Sequence, residues 1–76
     1  MIRYSIYIVD DDSAIRDSLT TALEASYEVR AFSSGEDALE ELARNSPDLM
    51  LLDIGLPGKN GMDVLRDARD LCPDTL

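Results

Sequence analysis

The sequence predicts an α/β protein built on a parallel sheet, and three observations predict it. β-type segments and helical apolar stripes alternate three times, the connections between them are short, and the middle β segment alone carries charge at alternate positions. The order reads βαβαβα in a single domain of 76 residues without linker, repeat or low-complexity tract.

Ile2 to Val9 is rich in Ile, Tyr and Val and stops at three acids, which marks a buried strand. After Asp10, Asp11 and Asp12, the apolar positions Ile15, Leu19, Ala22 and Leu23 recur at helical spacing, and Asp12 suits the N-cap of a helix starting near Ser13. Tyr27 to Phe32 returns to β-type residues. Here Glu28 and Arg30 alternate with Val29 and Ala31, so one face meets water and Val29 and Ala31 should face the core. Ser33 and Glu36 stand at capping-box spacing ahead of Ala38, Leu39, Leu42 and Ala43, a helix that must end near Asn45 because Pro47 follows. Leu49 to Leu52 is an apolar run between Asp48 and Asp53; its length and flanks, rather than its propensity, make it a strand. Pro57-Gly58 marks a turn and Asn60 can cap. Met62, Leu65, Ala68 and Leu71 then form a third helical stripe stopped by Pro73.

Polarity orders the strands. The first and third are apolar enough to be covered on both faces and the second is not, so the expected order is 2-1-3 with right-handed crossovers. Winding reverses after the second strand, which makes the sheet doubly wound, with the first helix on one face and the other two on the opposite face. In such sheets ligands bind beyond the carboxyl ends of the strands where the winding reverses. Asp10, Asp11 and Asp53 lie there.

Composition excludes several classes. Cys72 is alone, which rules out an internal disulfide and fits a reducing cytoplasm; with no His, no set of soft ligands for zinc exists. No basic start leads into a long apolar run, so neither a signal peptide nor a membrane span is expected. Sixteen acids against seven bases give a net charge of −9, which repels nucleic-acid backbones and anionic membranes. A hydrophobic content of 45% argues against intrinsic disorder despite that charge.

Each acid taken singly has an ordinary reading: consecutive Asp residues before a helix are caps, and an Asp ending a strand forms a turn. Their joint placement is costly. Carboxylates about 4 Å apart repel by up to about 4 kcal/mol per pair at an effective dielectric near 20, a cost that Ser or Asn caps would avoid. A cation is implied, and oxygen-only ligands favour Mg²⁺. A carboxylate beside such an ion is placed to attack a phosphoryl group.

These residues carry a resemblance. Val9-Asp10-Asp11-Asp12-Ser13-Ala14-Ile15-Arg16, Leu51-Leu52-Asp53-Ile54-Gly55-Leu56-Pro57-Gly58 and Asn60-Gly61-Met62-Asp63-Val64-Leu65 together resemble the receiver domain of bacterial two-component response regulators, a flavodoxin-like fold, over residues 1–76. The resemblance implies that Asp53 is the phosphoacceptor, charged by a sensor histidine kinase. It implies that Asp11 binds Mg²⁺ directly, Asp10 mostly through water, and the Gly55 carbonyl as a further ligand. Asp12 would be a cap, Pro57 and Gly58 would shape the loop beside the acceptor, and Lys59 would be a solvated charge. Such a domain is a signalling module rather than an enzyme, and it acts on an output domain or downstream protein. A receiver continues with two more strands and helices, which bring a Ser or Thr and a Lys to the phosphoryl group. The chain is therefore expected to be the amino-terminal part of one, lacking those elements and labelling weakly or not at all by itself.

Two other classes compete. A receiver-like module that binds proteins without being phosphorylated would need no complete acid set. A phosphatase of the haloacid dehalogenase type would use Asp10 and Asp12, but Ala14 stands where such enzymes prefer Thr or Val, and Asp53 would be unexplained. Finally, a third strand without a neighbour leaves a raw apolar edge, and the Ile15, Leu19 and Leu23 stripe stays partly uncovered. A homo-oligomer, most simply a two-fold dimer, is expected.

Overall fold

The computed structural model describes residues 3–56 and 61–76. The expected start of the first strand at Ile2, the Pro57-Gly58 turn, Lys59 and the Asn60 cap lie outside the described residues. The elements are β1 (Ser5–Val9), α1 (Ser13–Leu23), β2 (Glu28–Phe32), α2 (Gly35–Leu42), β3 (Leu49–Leu52) and α3 (Gly61–Leu71). The strands form one sheet of order β2-β1-β3 with both pairings parallel. This is the expected doubly wound pattern, a truncated flavodoxin-like fold.

The central strand is the most enclosed element. Ile6, Tyr7, Ile8 and Val9 are all buried, because each has a strand on either side and a helix above or below. Tyr7 and Val9 point to the side of α2 and α3, where they meet Leu42, Ala68 and Cys72, and Ala38 and Leu56, respectively. Ile6 and Ile8 point to the opposite side, toward Leu23 and Leu19 of α1. Tyr7 packs edge-on against Phe32, with ring centroids 5.2 Å apart, and its hydroxyl donates to the Asn45 carbonyl at 3.1 Å. Burial pushes the Tyr7 phenol above its usual pKa. On the rim, the Asn45 amide donates to Glu41, which also pairs with Arg30; together they hold that carboxyl below its ordinary range.

Several boundaries differ from the sequence expectation. β1 begins at Ser5 because Arg3 turns its guanidinium to the carbonyls of Glu24 and Tyr27, at 2.6 and 2.7 Å, closing the α1–β2 connection. Tyr27 stays outside β2 because its amide bonds the Leu23 carbonyl at the end of α1. The cap of α2 is Ser34, accepting from the Asp37 amide at 3.2 Å, and not Ser33 with Glu36. Ser33 and Ser34 offer the same chemistry. The position of Gly35 at the first helical residue separates them, since a side chain there would overlap Val64 of α3. α2 ends at Leu42, and the Arg44 and Asn45 amides both return to the Glu41 carbonyl to close the last turn.

Two facing expectations are corrected. Ala31 is exposed, although Val29 is half-buried and Glu28 and Arg30 are exposed as expected. The reason is that α1 buries none of its own residues, and its cover over β2 is incomplete. β3 is not covered on both faces: Leu51 remains 36% exposed. An apolar run at the edge of a three-stranded sheet looks the same in sequence as a central strand.

That edge is also less raw than expected. The Leu76 amide donates to the Asp48 carbonyl at 3.0 Å and the Leu76 carbonyl accepts from the Met50 amide at 2.8 Å, one parallel bridge on the outer side of β3. Part of the uncovered apolar surface lies on the α1 side, where Ile15 is 44% exposed and Tyr4 57%. Self-association is accordingly expected through this side. Sedimentation velocity at micromolar concentration checks it: a dimer is the expected outcome, and a stable monomer contradicts it.

Candidate functional site

The β1–β3 register places Val9 opposite Leu52, so the next residues, Asp10 and Asp53, leave the sheet side by side. Both keep their backbones on the ladder. The Asp10 amide donates to the Phe32 carbonyl at 3.1 Å and the Asp53 amide to the Val9 carbonyl at 2.9 Å. The two carboxylates therefore start from backbone fixed by the central sheet.

The three consecutive acids divide the local work. Asp12 has extended backbone angles and its Oδ1 accepts from the Ala14 and Ile15 amides at 2.9 and 3.4 Å, as the N-cap of α1. Oδ1 of Asp10 accepts from the Asp12 amide at 2.9 Å and so closes the turn between strand and helix. Asp11 is exposed between them. Across the sheet, Oδ1 of Asp53 accepts from the Gly55 amide at 2.9 Å. Asp10 and Asp53 are half-buried.

These constraints bring Asp10, Asp11 and Asp53 together, with one carboxylate oxygen from each lying within 4.8 Å of the others. At that separation each pair repels by roughly 3 to 4 kcal/mol at an effective dielectric near 20. Among the described residues, the ion pairs run elsewhere, from Arg30 to Glu41, Arg44 to Glu40, and Arg66 to Asp63 and Asp67. Arg16 is near enough to be a counter-charge, but its guanidinium donates to the Asp10 main-chain carbonyl at 2.8 Å. An all-oxygen set of this size and charge fits a hard divalent cation such as Mg²⁺, which one or two carboxylates, a carbonyl and water commonly hold. Gly55 stands two residues beyond Asp53, close enough for its amide to reach that carboxylate.

Sequence reasoning missed three parts of this arrangement: the Arg16 tether, the Gly55 amide on Asp53, and the contact of Gly61 with the peptide after Asp53. None has a signature in residue spacing, because each depends on how a loop folds back. A hollow of about 510 Å³, lined largely by apolar residues including Tyr4, Ile6, Leu23, Leu49 and Leu51, lies at the amino-terminal end of the strands. It belongs to the uncovered α1 side and has no part in the acid site.

Comparison with known proteins agrees with the fold. The family model described as "Response regulator receiver domain" matches residues 6–75. The response regulator MprA of Mycobacterium leprae (strain TN) is 40% identical over 70 residues, which cover 91% of this chain and 31% of that protein. The DNA-binding transcriptional regulator NtrC of Escherichia coli (strain K12) is 39% identical over 74 residues, covering 96% of this chain and 16% of that protein. A solved CheY-like response regulator receiver domain protein from Methanospirillum hungatei JF-1 superposes with a TM-score of 0.94 at 36% identity, over 97% of this chain and 60% of that one. The chain thus spans less than a third of the length of these two curated relatives.

The cap and the cluster should separate experimentally. Replacing Asp12 by Ala is expected to destabilise the fold by about 1 kcal/mol, the usual cost of losing an N-cap. Urea denaturation measures it, and an unchanged midpoint would mean that the Ala14 and Ile15 amides find another acceptor.

Proposed function

This chain belongs to the response regulator receiver domain family, and from that membership we propose that it takes a phosphoryl group from a sensor histidine kinase onto Asp53, in a phosphorelay, with Mg²⁺ held by the acid pocket. The observation that carries the proposal is the convergence of Asp53, at the end of β3, with Asp10 and Asp11 to within 4.8 Å. The family is one of signalling domains.

In this reading Asp11 would contact the cation directly, Asp10 mostly through water, and Asp53 and the Gly55 carbonyl would complete the protein ligands. Bound Mg²⁺ would supply positive charge to offset that of the phosphoryl oxygens. Asp53 is the nucleophile. One of its carboxylate oxygens attacks phosphorus in line, the O–P bond forms as the N–P bond of the phosphohistidine breaks, and the imidazole leaves with the bonding pair. The Gly55 amide holds the other side of this chemistry by fixing the Asp53 carboxylate in its turn. Asp10 is held by the Asp12 amide, so the pocket is organised before any ligand arrives.

The partners follow from the same reading: a histidine kinase as donor, and an output domain or downstream protein as target. With a net charge of −9, any nucleic-acid binding by such an output lies outside these residues. Among the described residues no helix is long and apolar enough to cross a membrane.

Two measurements test the proposal. Mg²⁺ is expected to raise stability by about 2.7 kcal/mol at a hundredfold excess over its dissociation constant; an Asp11→Ala variant that gains as much as the parent would refute the metal assignment. A small-molecule phosphodonor is expected to leave an acid-labile adduct on the expressed gene product, read by mass spectrometry, and Asp53→Asn should abolish it. Label persisting in that variant moves the acceptor to Asp10 or Asp11. A parent that never labels is a binding module, and steady hydrolysis through Asp10 indicates a phosphatase.

A further inference from the structure

Two glycines bracket the connection after β3, and the structure treats them differently. A methyl group on Gly55 would meet only Oδ1 of Asp53, at an ordinary 3.5 Å. A methyl group on Gly61 would run into the backbone of Ile54, overlapping its Cα and lying 2.8 Å from its carbonyl carbon and from the carbonyl oxygen of Asp53. The Gly61 amide also donates to the Ile54 carbonyl at 3.0 Å. The first residue of α3 thus sits flush against the peptide that leaves Asp53.

The Ile54 side chain is 60% exposed. Leu56 is buried with Val9 and Ala38, which fixes the chain two residues further on. α3 itself is seated by Val64, fully buried one turn after Gly61, against the bare Gly35 of α2. Of these two close approaches of α3, the one at Gly35 meets only Val64, and the one at Gly61 meets the peptide that leaves Asp53. We propose that Gly61 is a positioning residue for the acid site, its missing side chain and its amide together clamping the Ile54 peptide so that the Asp53 carboxylate and the Gly55 carbonyl face Asp10 and Asp11. The inference rests on the metal site proposed above and adds to it a determinant that bears no ligand atom.

The test sets Gly61→Ala beside Gly35→Ala, since both crowd α3 and only the first touches the turn. Mg²⁺ affinity by calorimetry and amide hydrogen exchange without metal are read on each. Gly61→Ala is expected to weaken Mg²⁺ binding by about tenfold or more, as loss of outer contacts to a metal site commonly does, and to speed exchange of the Gly55 amide. Gly35→Ala should lose thermal stability while keeping both site readouts. Should Gly61→Ala fail to fold, a synthetic chain with an ester in place of the Gly61 amide removes the Ile54 bond without adding an atom; faster Gly55 exchange and weaker Mg²⁺ binding are again expected. Equal effects of both alanine variants on the site, or an ester chain with unchanged exchange and affinity, would overturn the positioning role. A parent chain that binds no Mg²⁺ would instead overturn the metal reading, while the exchange comparison would still decide whether Gly61 holds the turn.

Discussion

The pairing of Val9 with Leu52 is the constraint on which the rest of the molecule turns. Side chains alternate along a strand, so a slip of one residue between β1 and β3 would send Asp53 away from Asp10 and turn the apolar residues of β3 to the wrong faces. The register is held from both sides. Tyr7 and Val9 face one layer of helices, Ile6 and Ile8 the other, and all four are buried. A parallel strand between two neighbours has no second way to satisfy both its hydrogen bonds and its apolar faces. The site at its carboxyl end inherits that rigidity.

The helices are then placed by contacts more local than the sheet. Polar capping starts α1 and α2, with Asp12 and Ser34 each accepting backbone amides. Close approach places α3 against α2 at Gly35 and against the acceptor turn at Gly61. The side of α2 and α3 buries Ala38, Leu42, Val64, Ala68 and Cys72, whereas α1 contributes no fully buried residue. The molecule is consequently lopsided, tightly packed on one side of the sheet and thinly covered on the other.

Electrostatics opposes this packing at the acid cluster. Asp10, Asp11 and Asp53 are forced together by backbone geometry that is satisfied for other reasons: the ladder bonds of Asp10 and Asp53, and the turn closed by Asp10 on the Asp12 amide. Arg16 stands beside them and spends its guanidinium on a main-chain carbonyl. The fold holds an excess of negative charge of the kind a divalent cation offsets, an arrangement that local stability alone would not favour.

Much of this was legible in the chain. The alternation of Ile6–Val9, the stripe of Ile15, Leu19 and Leu23, and the breaks at Pro47 and Pro73 determine element type and order, because hydrophobic periodicity and proline chemistry act over a few residues. The charges at Glu28 and Arg30 put β2 at an edge, and with it the order β2-β1-β3, from which the meeting of Asp10, Asp11 and Asp53 follows. The tertiary structure decided what depends on contacts between distant residues. Ser34 rather than Ser33 caps α2 because Gly35 must face Val64; Ala31 and Leu51 stay exposed because neighbours do not fully cover them; Leu76 bridges β3 where a bare edge was expected. In each case the sequence offers two locally equivalent solutions, and steric fit with a residue far along the chain selects one.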